Sequence, residues 1–143
     1  MNKKVIIIIG LPGSGKTTLA KKFKDYLIFD DFIGNFYNGD VIYKLKSKSK
    51  ICLIDPRLCI YSIFLKYFNV ILKYVSKEKI QIIIFENDPK KCLINLRKRR
   101  FDTNIQNIIN NYSHVYSLKN YIKFNPIILP IYTSSNENSN QPL

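Results

Sequence analysis

Five apolar residues, Val5–Ile9, run without a break into GLPGSGKTT at positions 10–18. An unbroken β-branched run reads as a strand buried on both faces, because a one-sided strand alternates apolar with polar residues. Gly10, Gly13 and Gly15 then force a tight turn, and the chain from Lys16 onward reads as a helix. A strand covered on both faces needs helices on either side of its sheet. This opening therefore commits the chain to an α/β fold with a mostly parallel sheet.

The rest of the pattern agrees. A helix is expected over 16–26, and a short strand over 27–29 ends in Asp30 and Asp31. A stretch containing Gly34, Asn35, Asn38 and Gly39 follows, then a polar KSKSK loop at 46–50. Ile51–Ile54 is a third strand, closed by Asp55 and Pro56, and 57–75 is a long helix. Ile80–Phe85 is a fourth strand. Asp88 caps a helix over 88–99 with Pro89 at its first position. A further helix over 105–121 and a strand over 125–132 complete one domain, 1–132, and 133–143 reads as a disordered polar tail.

The glycine loop has the full GxxxxGK[ST] spacing between strand and helix, the context this motif requires. Glycines let backbone N–H groups wrap a phosphate, and the first helical turn adds unpaired donors. Gly10, Pro12, Gly13, Ser14, Gly15, Lys16, Thr17 and Thr18 are thus expected to hold a nucleoside triphosphate, ATP or GTP. Lys16 would reach the β- and γ-phosphates and Thr17 would ligate Mg²⁺.

In parallel sheets ligands sit at the carboxyl ends of strands, where Asp30, Asp31 and Asp55 are expected. Asp55 closes an apolar run, as a carboxylate holding Mg²⁺ would; the competing reading is a turn residue before Pro56. Asp30 is placed to accept a proton from an acceptor hydroxyl, ahead of Asp31. Arg97 to Arg100 holds three of the four arginines, and Arg97 or Arg100 could close over a transferred phosphoryl group. Arg57 is open between reaching an acceptor phosphate and lying on the surface.

Charge is less informative than it looks. The net charge is +13, but 19 of the 23 cations are Lys, and Ile, Lys, Asn and Tyr are all residues that AT-rich codons favour. Apolar residues at 46% exclude general disorder. Cys52, Cys59 and Cys92 have no paired spacing, which suits a reducing compartment. No run is long enough for a signal or membrane span, so a soluble cytoplasmic protein is expected.

These motifs together resemble the small P-loop kinases, nearest the polynucleotide kinase, gluconate kinase and zeta-toxin-like group with its compact phage and viral members. GLPGSGKTTLA is similar to their nucleotide loop, FDD at 29–31 to their second-strand acidic pair, and IIIFENDPKKCLINLRKRR at 82–100 to the strand and helix leading into a lid. The resemblance implies a three-layer P-loop NTPase fold with sheet order 2-3-1-4-5 and a short lid. It also implies ATP-dependent phosphotransfer to a nucleotide, a nucleic-acid end or another small acceptor, with Asp30 as the base. Two other readings stand beside it: a nucleotide-binding module without turnover, and a nucleic-acid-binding protein driven by net charge.

Overall fold

The computed structural model describes residues 2–98 and 103–133. Five parallel strands form one sheet in the order β2-β3-β1-β4-β5. They are β1 (Val5–Ile9), β2 (Leu27–Asp30), β3 (Ile51–Ile54), β4 (Ile80–Phe85) and β5 (Ile127–Leu129). Val5 pairs with Ile51 on one side and Ile80 on the other, so β1 lies at the centre. All residues of β1 and β3 are buried, as are the last four of β4. The edge strands are wetter: Leu27 and Ile28 of β2 and Ile127 and Ile128 of β5 are exposed.

Helices cover both faces, as the buried central strands require. They are α1 (Lys16–Ala20), α2 (Asp40–Lys46), α3 (Tyr61–Ile71), α4 (Pro89–Arg97) and α5 (Thr103–Val115). The Asp88 side chain accepts from the Lys91 N–H and caps α4 as expected. None of the described helices is long and apolar enough to cross a membrane.

Several boundaries differ from the sequence reading. The first helix stops at Ala20, and Lys22, Phe23 and Tyr26 instead make tight i→i+3 bonds. That early stop lets the chain reverse and seats the Tyr26 hydroxyl on the Lys3 carbonyl. The expected long helix over 57–75 is a 3₁₀ turn, Pro56–Cys59, followed by α3, because Asp55 caps the turn and Ile60 is extended. The helix expected over 105–121 ends at Val115 and continues as 3₁₀ turns.

The 3₁₀ segment Phe32–Asn38 and α2 were missed. Their signal is short: Phe32 and Phe36, then Val41 and Leu45, four apart and buried. Phe32 and Phe36 pack edge-on against Tyr67 of α3. Of the tyrosines in the helical regions, Tyr67, Tyr116 and Tyr121 are buried, Tyr61 and Tyr112 are half-buried and Tyr74 is exposed. The KSKSK loop is tied down by the Lys4 ammonium, which donates to the carbonyls of Lys44, Ser47 and Ser49. The lid was expected between α4 and α5; residues 99–102 there, and the tail from 134, lie outside the described residues. Thr133 itself is buried.

Candidate functional site

Because all strands are parallel, their carboxyl ends gather at one edge of the sheet. Pairing of Asp30 with Ile54, and of Ile8 with Ile54, brings Asp30, Asp55 and the glycine loop to that edge.

The loop's shape follows from its glycines. Gly13 and Gly15 adopt φ of +85° and +105°, where a side chain is strained. A Cβ on Gly13 would also meet the Cys92 carbonyl oxygen at 2.5 Å, so α4 packs directly on the loop backbone. At Gly10 a Cβ would meet Ser14 Oγ, again at 2.5 Å. That Ser14 hydroxyl is buried and has no hydrogen-bond partner among the described residues. An orphaned buried hydroxyl is costly and calls for a ligand or water.

Lys16 is 8% exposed, and its Nζ donates to the Leu11 carbonyl at 2.9 Å. Burial pushes its pKa below the ordinary lysine value; Cys59, Cys92, Asp30 and Asp55 pull the other way. A buried ammonium held by one carbonyl is under-solvated, so an incoming anion gains strongly from it. Thr17 Oγ1 donates to Asp30 Oδ2 at a long 3.4 Å, which puts both oxygens beside the loop. Thr18 faces solvent. Asp31 holds a left-handed backbone, φ 53°, and burial with the charges of Asp30 and Asp55 raises its pKa.

Asp55 is fully buried and its carboxylate is occupied. Oδ1 accepts from the Arg57 backbone N–H and Nε, both at 2.9 Å. Oδ2 accepts from Arg57 Nη2 at 2.8 Å and the Ile33 N–H at 3.2 Å. Those four donors match the roughly four lone-pair positions of a carboxylate. In this arrangement no acceptor position of Asp55 remains for a metal, and its geometry is that of the turn residue before Pro56. Arg97 ends α4, exposed, while Arg100 lies outside the described residues.

The groups present suit a triphosphate. The glycine cradle, the Ser14 hydroxyl and the Lys16 ammonium are all complementary to phosphate oxygens. Among the described residues no group of three or more His, Cys, Asp or Glu could hold a metal alone. That suits Mg²⁺, which takes one or two protein oxygens together with substrate phosphates and water. The Thr17 hydroxyl, beside the loop, is the side-chain oxygen that would supply one.

One residue of the site was not legible in the sequence. Asn95 of α4 donates through Nδ2 to the carbonyls of Gly13 and Tyr132, at 3.0 and 2.9 Å. It ties the glycine loop to the chain leaving β5 from 82 positions away. No local pattern could announce such a contact.

No protein-family model matches the chain. It is 40% identical over 129 residues to uncharacterized protein R277 of Acanthamoeba polyphaga mimivirus, covering 87% of this chain and 94% of that protein. Its fold is similar to that of a gluconokinase from Sinorhizobium meliloti 1021, with a TM-score of 0.61 at 9% identity, over 95% of this chain and 86% of the other. The five-stranded parallel sheet in order 2-3-1-4-5 is thus a P-loop kinase fold.

Proposed function

The chain belongs to the family of the mimivirus protein R277, and from that footing and its P-loop kinase fold we propose that it is a small ATP-dependent kinase. The observation that carries this reading is one glycine loop that holds a buried Lys16 ammonium and an orphaned buried Ser14 hydroxyl, with the Thr17 hydroxyl on Asp30 at its end.

In this reading Gly10, Pro12, Gly13, Ser14 and Gly15 wrap the phosphates of ATP, or of GTP. Lys16 leaves the Leu11 carbonyl for the β- and γ-phosphates, and Thr18 lies toward the α-phosphate. Thr17 holds Mg²⁺, which would neutralise phosphate charge when bound. Asp30 orients an acceptor hydroxyl and takes its proton, and an arginine of 97–100 covers the transferred group. The gluconokinase's name gives a sugar acid as one acceptor to try, beside nucleosides and nucleic-acid ends. The test is acceptor-dependent ADP release by the purified protein. Asp30→Asn should lower kcat by about 10²-fold or more, the usual contribution of a positioned base; full turnover in that variant removes Asp30 from the role.

A second reading is favoured by one observation. The Asp55 carboxylate, the expected metal support, is occupied by Arg57 and the Ile33 N–H. A module that binds nucleotide without transferring phosphate would show stabilisation by Mg·ATP and no ADP release with any acceptor.

A further inference from the structure

Arg57 is held in a way that a mere cap does not require. A turn before Pro56 needs only that Asp55 accept the Arg57 backbone N–H. Here the carboxylate also takes Nε and Nη2 in a two-pronged fork, and the Ile33 N–H pins its second oxygen. The carboxylate is 0% exposed while the Arg57 side chain is 40% exposed. The buried partner therefore fixes the orientation of a guanidinium that still opens outward.

Two of the five N–H donors of Arg57 are spent on Asp55, leaving three. None of the three has a hydrogen-bond partner among the described residues. No side chain is interposed at Gly34, where a Cβ would lie 4.0 Å from Nη2. The pairing of Asp30 with Ile54 sets Arg57 and Asp30 at the ends of adjacent strands, on the edge that also carries the glycine loop. The Asp31 carboxylate and the neutral Tyr112 phenol of α5 lie near Arg57.

We infer that Arg57, oriented by Asp55, is the residue that binds an anionic oxygen group on the acceptor, a carboxylate or a phosphate. This deepens the kinase reading: the acceptor places its hydroxyl at Asp30 and its anionic group on the outward N–H donors of Arg57. A fork already fixed by a buried carboxylate loses little entropy on binding, and planar N–H pairs match both groups. Asp55 is then a positioning residue and not a metal ligand.

The first test does not depend on turnover. In the Lys16→Ala protein, where the loop lysine no longer competes for anions, inorganic phosphate and acetate are titrated while the Arg57 Nε–H resonance is followed by NMR. A saturable shift, absent when Arg57→Gln is added, supports the inference; no shift, or equal anion binding without Arg57, overturns it. The stronger of the two anions tells phosphate from carboxylate.

The second test uses matched acceptors: a nucleoside and its 3′-monophosphate, and a neutral sugar and its acid. Arg57→Gln should raise the acceptor KM by about 10- to 100-fold and erase the preference for the anionic member, with KM for ATP unchanged. Arg57→Lys should recover only part of it, since charge returns without the fork. An unchanged preference in Arg57→Gln overturns the inference. No ADP release with any acceptor overturns the kinase reading instead, and the titration still decides Arg57. Asp55→Asn should weaken the anion and spare Mg·ATP binding; loss of Mg·ATP binding with the anion site intact makes Asp55 a metal ligand and refutes its positioning role.

Discussion

At Lys16 the chemistry turns on a cation kept from water. Its pKa is lowered in the folded chain, so between that value and the ordinary 10.5 the unfolded state binds more protons. The Lys16 contribution to the stability of the free protein should therefore rise with pH across that window. Mg·ATP restores the proton, so its affinity should fall as pH rises through the same window. Lys16→Met should remove both trends, seen by chemical denaturation and by binding across pH. It should also abolish the thermal stabilisation by Mg·ATP, on the order of 8–10 °C at about 100 times Kd in the unmodified protein. The buried thiols act in the opposite sense above pH 9, since burial pushes Cys52, Cys59 and Cys92 from 9.0 up to about 12 and the unfolded chain deprotonates first, so the Lys16 contribution is read as the difference between the unmodified protein and Lys16→Met. Gly13 and Gly39 separate strain from collision: both have positive φ, but only at Gly13 does a Cβ meet another backbone. Gly39→Ala should cost about 1–2 kcal/mol and Gly13→Ala distinctly more, by urea titration.

Among the elements, α4 does the most for the site while contributing no residue of the loop itself. Cys92 sets the height of the loop through its carbonyl, and Asn95 holds Gly13 and Tyr132 together. Asn95→Ala frees two carbonyls and should cost about 1–3 kcal/mol. It should also weaken Mg·ATP binding, because the loop is no longer held to the end of β5. Calorimetry with Mg·ATP distinguishes this from a purely structural role, in which stability falls and affinity does not. Asp88→Ala, which loses the α4 cap, should cost about 1 kcal/mol and serves as the comparison.

For the molecule as a whole, the sheet centre carries stability and the lysine excess carries little. Ile7 is paired on both sides and 2% exposed, so Ile7→Ala should cost about 2–5 kcal/mol by denaturant unfolding. By contrast, replacing the exposed Lys21, Lys24, Lys48 and Lys73 by Gln should leave the Mg·ATP affinity within about 2-fold at physiological salt, where charges beyond roughly 8 Å are screened. Lys4 shows that some of the excess is structural, since its ammonium closes the 44–50 turn.

The sequence by itself determined the α/β class, the central strands and the glycine loop, because these are written in neighbouring residues: β-branched runs, glycine spacing and a lysine opening a helix. It also marked Asp30 and Asp88, which follow or precede elements directly. What only the tertiary structure decided were contacts between distant positions: Ile33 and Arg57 closing on Asp55, Asn95 reaching Gly13, and Lys4 holding Ser49. The physical reason is that a carboxylate's role depends on which donors reach it first. Asp55 has the same local pattern whether it faces a metal or an arginine, and the packing of the Phe32–Asn38 segment and the turn at Pro56 gave it to the arginine.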